Sequence, residues 1–177
     1  MIVTPALSDA NNGNWQTAQR WSQLLRPAYN VALSGQWRGG DEALMLALHA
    51  RRSAASMAAW RAAHPQRPLV LVLTGTDLYR DIASDPDAQR SLYLADRLVV
   101  LNALGAERLP QALRERCRVV LQSCPVRRVL PRPTRHLRAL MVGHLREEKD
   151  PRTLLRAAQR LASRGDIPLA PPPAAPD

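Results

Sequence analysis

Short apolar runs alternate with amphipathic stretches along the chain. The runs at 2–4, 30–33, 44–48, 69–73, 97–101, 118–121 and 139–142 read as strands. "LVLVL" and "RLVVL" are continuously apolar rather than alternating. Strands buried on both faces read that way, so the pattern predicts a parallel sheet between layers of helices. Between the strands lie predicted helices. Trp15, Ala18, Trp21, Leu24 and Leu25 recur at helical spacing after "NNGN". Residues 53–63 are rich in alanine, the best helix former. Asp85 before Pro86 supplies an N-cap and a preset first turn for a helix toward Ala95. Asp150 before Pro151 repeats the device, and that helix aligns Leu154, Leu155, Ala158 and Leu161 and ends near Gly165. Such alternation predicts a doubly wound α/β domain.

One break interrupts the pattern. "CPVRRVLPRPTRH" is rich in Pro and Arg and has no period, so residues 125–136 read as a linker. The expected organisation is a first domain over 1–124 and the first strand–helix unit of a second over 137–166. The Pro/Ala stretch 167–177 is expected to be disordered.

Composition changes this picture only at the margins. A chain of 177 residues suits one domain or two small ones. No apolar run reaches the roughly 18 residues of a membrane span, and the opening "MIVTPAL" lacks a basic leader. Cys117 and Cys124 make neither a disulfide framework nor a zinc site, and two free thiols suit a reducing cytoplasm. The net charge is +10, almost all of it from arginine. That implies an anionic partner, or simply the codon usage of a GC-rich gene. The arginines are spread out and aromatics are few, so nucleic-acid binding is not expected.

Ligands of such sheets bind beyond the carboxyl ends of the strands, which ranks the loops. After the first strand, Gly13 and Asn14 open a helix whose free N–H groups suit an anion, or Asn14 simply caps it. Arg20 lies on that helix. After the third strand come His49, Arg51 and Arg52, an oxyanion site or a solvated corner. After the fourth come Thr74, Gly75, Thr76 and Asp77. Here Asp77 could hold a sugar hydroxyl, act as a base, or cap a short helix. After the seventh, "GHLREEKDP" offers Gly143 for a close turn, with His144, Arg146 and Lys149 as cations for a diphosphate.

The pieces together resemble the retaining glycosyltransferases of GT-B fold. "VGHLREEKDP" is similar to the G-R-L-x-x-x-x-K element that opens their nucleotide-sugar domain, with His144 in place of its arginine. "VTPALSDANNGNWQTAQRW", "LALHARRSAASMAAWRAAHP", "LVLTGTDLYRDI" and "ADRLVVL" extend the resemblance to the selenosugar synthases of selenoneine biosynthesis. The resemblance implies a Rossmann-like acceptor domain over 1–124. It implies transfer of a sugar from a UDP-sugar to selenophosphate, with release of UDP. Gly13, Asn14, Arg20, His49, Arg51, Arg52, Thr74, Gly75, Thr76 and Asp77 would face the acceptor. Gly143, His144, Arg146 and Lys149 would face the donor diphosphate. No metal or other cofactor is implied, and the catalytic residues stay unassigned. An acceptor other than selenophosphate, or a phosphate-ligand module without chemistry, also fits the loops. A full member of the family would continue well beyond Asp177, so the chain is expected to be a truncated form, inactive alone.

Overall fold

The computed structural model describes residues 1–10, 12–125, 139–141 and 150–164. The chain divides into two compact units, Met1–Val126 and Arg127–Asp177.

The first unit is a six-stranded, wholly parallel sheet. Its strands are β1 (Ile2–Val3), β2 (Leu33–Ser34), β3 (Met45–Leu48), β4 (Leu69–Leu73), β5 (Arg97–Val100) and β6 (Cys117–Val119). They lie in the order β2-β1-β3-β4-β5-β6. The chain builds outward from β1 to β2, then returns to the other side of β1 with β3. The β1–β3 boundary is therefore the switch point of the winding, where two connections diverge and leave a crevice above the strand ends.

Helices cover both faces. α1 (Gly13–Leu25) packs Ala18, with Trp21 and Leu25, against Ile2, Leu48, Val72 and Val99. On the other face lie α2 (Ala54–Ala63), the short α3 (Ile82–Ser84) and α4 (Pro86–Leu94). There Met57, Trp60, Ala88 and Leu92 pack on Met45, Ala47, Leu69, Leu71 and Leu98. Alternate residues of "LVLVL" thus serve opposite cores: Leu69, Leu71 and Leu73 one, Val70 and Val72 the other. This is the physical content of its unbroken apolarity.

Local signals read from the sequence hold with adjustments. Asp85 caps α4 through Ala88 N–H at 2.9 Å, with Pro86 in the first turn. The cap of α1 is Asn12, not Asn14; its Oδ1 accepts from Asn14 N–H at 3.0 Å and Trp15 N–H at 3.2 Å. A side chain must precede the first turn to reach back to those amides, and Asn14 lies inside it. Leu24 is exposed although it keeps the helical spacing.

In the second unit, α5 spans Pro151–Ala162. Asp150 precedes it in a left-handed conformation (φ 42°) and caps no backbone amide; its carboxylate accepts from the Thr153 hydroxyl instead. Residues 139–141 are not in a strand, since no neighbour among the described residues supplies a ladder for them. Val142, the loop 143–149 with Gly143, His144, Arg146 and Lys149, the linker from 126 to 136, and the segment from Gly165 onward lie outside the described residues. Among the described residues, no helix is long and apolar enough to cross a membrane.

Candidate functional site

Two polar constructions stand at the carboxyl ends of the strands. The first is a buried corner between β3 and β4. Asp77, wholly buried, directs Oδ1 to the N–H groups of Thr74 (3.0 Å) and Gly75 (2.9 Å), and Oδ2 to Ala50 N–H (2.9 Å). One carboxylate thus ties the loop after β3 to the loop after β4. Gly75 has φ 149°, a conformation that side chains rarely adopt, and this lets two successive amides turn toward the same oxygen. Past it the backbone takes a five-residue π-helical turn, Asp77–Asp81.

His49 sits in the same corner, buried and at φ 73°. Its Nδ1 accepts Arg52 N–H at 3.4 Å, so the proton of the neutral ring is on Nε2. Nε2 faces Thr76 Oγ1 at 3.3 Å and Asp81 Oδ2 at 4.0 Å. Burial pushes the His49 pKa below its ordinary value; Asp77 and Asp81 oppose that shift, and Arg52 and Arg51 reinforce it. The ring thus donates to the Thr76 hydroxyl, with the Asp81 carboxylate nearby but beyond hydrogen-bond distance. In that tautomer Nε2 has no lone pair to take a proton from Thr76, so the trio is not a hydroxyl-activating relay. Asp81 is held from outside by Arg51 Nε (3.0 Å) and Arg80 Nε (2.9 Å). Burial works to raise the Asp81 carboxyl, yet the Arg80 hydrogen bond and the two guanidinium charges outweigh it and hold it below the usual range.

The second construction is open. A cavity of about 780 Å³ lies at the β1–β3 switch point, where the loop after β1 (Asp9, Asn12), the end of β2 and its following loop (Ser34, Gln36, Arg38) and the loop after β3 (Arg52) meet. Trp37 anchors the β2 loop: its N–H donates to Ser56 Oγ at 3.1 Å and its indole N–H to Glu42 at 3.0 Å, with the ring edge-on to Trp60. A buried tryptophan thereby fixes the residue before Arg38. Among the described residues, the side chains of Arg38, Arg52 and Asp9 form no ion pair and no hydrogen bond. The polar side chains of the corner are spent on the protein, whereas these three are not.

The sequence-expected residues therefore separate. Arg52 lines the open cavity, and Gly13 and Asn14 follow its Asn12. Two of the α1 amides are already taken by Asn12, which leaves Gly13 N–H as the remaining donor of the helix start. His49, Thr76 and Asp77 belong to the buried corner, Thr74 and Gly75 contribute amides to it, and Arg51 is committed to Asp81. Arg20 is turned to the segment after β6, where its Nε donates to Ser123 Oγ at 3.1 Å beside the Gln122–Thr17 hydrogen bond. Sequence reading did not find Arg38, Ser34, Gln36 or Asp9. Their only local signal was "WRGG", an arginine between an anchor and two glycines. Among the described residues no cluster of His, Cys, Asp or Glu could hold a metal ion. Compared with known proteins, the chain matches no family model and no curated sequence.

Proposed function

We propose that residues 1–124 are the acceptor-binding domain of a glycosyltransferase of the GT-B kind, with an oxyanion acceptor in the crevice at the β1–β3 switch point. The observation that carries this reading is the pair of unpaired guanidiniums, Arg38 and Arg52, on one cavity at the ligand-binding edge of a doubly wound sheet. Guanidinium groups meet tetrahedral oxyanions through paired N–H donors, which suits phosphate and its selenium analogue. The resemblance in sequence selects selenophosphate as the acceptor and a UDP-sugar as the donor.

In this reading the selenium lone pair attacks the anomeric carbon. The new carbon–selenium bond forms as the bond to the UDP oxygen breaks, and UDP leaves with the electron pair. An ionised selenium needs no general base, in keeping with a site whose one nearby histidine is buried and donates from Nε2. Lys149, His144 and Arg146 are the proposed partners of the leaving diphosphate, where fixed positive charge counts most. The buried, self-satisfied corner also favours a second reading, a module that binds phosphorylated ligands without chemistry.

Two measurements test the proposal. Titration with selenophosphate, followed by calorimetry, should show saturable binding that Arg52→Gln weakens roughly tenfold, the worth of about one charge-assisted hydrogen bond. Release of UDP from UDP-sugars in the presence of selenophosphate separates the readings. Release dependent on both substrates, from the chain alone or joined to a donor-binding domain, supports transfer; binding without release in either form supports the module; absence of saturable binding rejects both.

A further inference from the structure

One more feature of the strand-end rim is built rather than incidental. Tyr79, in the π-helical turn after β4, is about half exposed, at 53%. Its backbone N–H donates to Gly75 O at 2.9 Å. Its phenol oxygen accepts from Asn102 Nδ2 at 2.8 Å, and the Arg108 guanidinium lies 5.8 Å from the ring centroid. Asn102 precedes, and Arg108 ends, the 3-10 segment Ala103–Arg108 that follows β5. That segment docks through Gly105: a Cβ there would lie 2.8 Å from Val100 Cβ and 3.2 Å from Leu78 Cδ2. A missing side chain on one loop thus lets two rims meet and fixes an aromatic ring between them. The two more exposed tyrosines, Tyr29 and Tyr93, form no such assembly.

A ring held at backbone, phenol and flank, yet half open, is an apolar plate whose ordering cost was met on folding. The crevice lies two strand spacings away, ~10 Å along the same edge, a span that a sugar ring and an attached nucleophile can bridge. We propose that Tyr79, with Asn102 and Arg108, is the plate against which the transferred sugar ring packs. The sugar's C–H face lies on the phenol ring, and its hydroxyls reach Asn102 and Arg108. This inference rests on the glycosyl-transfer reading of the crevice.

The test labels the full chain with 3-fluorotyrosine, assigns the Tyr29, Tyr79 and Tyr93 signals by single Tyr→Phe changes, and follows fluorine NMR. UDP-glucose and UDP-N-acetylglucosamine should shift the Tyr79 signal, UDP alone should shift it far less, and inorganic phosphate should leave it in place. Tyr79→Ala should weaken UDP-sugar binding roughly fivefold or more, while Tyr79→Phe should stay within about twofold, since it keeps the ring. Phosphate affinity should be unchanged in both. An equal shift with UDP alone would show that the plate takes the base and would overturn the proposal. So would the absence of any Tyr79 shift while phosphate still binds through Arg52, an outcome that leaves the crevice reading standing. Loss of phosphate binding in the unmodified chain would instead sink the crevice reading itself.

Discussion

Two sets of arginines on the rim of the sheet are used in different ways. At the amino ends of the strands, Arg61 makes four hydrogen bonds, to the carbonyls of Pro65, Arg67 and Leu94 and to the Asp96 carboxylate. Arg67 binds Glu42 O and Asp41, and Arg116 binds Ala95 O. Asp96 also accepts Leu69 N–H at 2.8 Å, locking the starts of β4 and β5 together. Burial tends to raise the Asp96 carboxyl, but the Arg61 and Leu69 hydrogen bonds hold it below its usual value. At the carboxyl ends Arg51 and Arg80 are likewise held, by Asp81, but among the described residues Arg38 and Arg52 have no such partners. A folded protein satisfies its own charges where only stability is at stake. In the proposed reading, the charges left unsatisfied on a concave surface at the switch point are the ones that meet the ligand.

Substitutions can break this contrast. The largest effect is expected from Asp77→Ala, which leaves three N–H groups without an acceptor in a buried corner. Urea unfolding should show a loss of about 3 kcal/mol or more, and phosphate affinity should fall with it, because the turn that carries Arg52 hangs from Ala50. Next is Arg61→Ala at the amino end, expected to cost about 2 kcal/mol through several lost hydrogen bonds while phosphate affinity stays unchanged. Arg38→Gln should do the reverse: the unfolding midpoint stays within about 0.5 kcal/mol of the unmodified chain, and phosphate binding weakens severalfold. An Arg38 variant that destabilises without weakening binding would erase the distinction between the two sets.

The smallest effect expected is on pH dependence. His49 is held below its ordinary pKa of 6.5 in the folded chain. As pH falls below 6.5 the unfolded chain takes up this proton while folded His49 stays neutral, so stability declines until the folded pKa is reached. Above 6.5 the residue contributes no slope. Denaturation of the unmodified chain and His49→Gln at a series of pH values should show a shallower decline in the variant within that window.

The layered fold was legible because burial on two faces leaves a direct mark in the sequence. "LVLVL" and "RLVVL" carry it, and Asp85–Pro86 announces a helix within a residue. The candidate site was legible only in part. His49, Arg51, Arg52, Thr74, Gly75, Thr76 and Asp77 were placed correctly at strand ends, since strand position alone decides that. Which of them point inward could not be read, because Asp77 finds Ala50 across the sheet and Asp81 finds Arg51, and neither pairing has a local signature. Arg38 escaped for a related reason: its place beside Arg52 depends on Trp37 docking at Ser56, far along the chain. Asn12 rather than Asn14 as the cap was a matter of choosing among three asparagines, a choice made by helix geometry.

The position of β1 has a consequence for how the molecule assembles. It precedes every other strand in the chain, yet it lies inside the sheet, with Ile2 paired to Leu33 on one edge and to Leu46 on the other. The β3–β4–β5 ladders join closer stretches of chain over longer registers, with Val70 meeting Arg97 and Leu73 meeting Val100. Loop closure favours those nearer pairings, so the β3–β5 half can form before β1 has any partner. The crevice requires β1, β2 and β3 together, which makes it a late product of folding. A nascent or refolding chain would bury Trp60 first and acquire the crevice at the switch point afterwards.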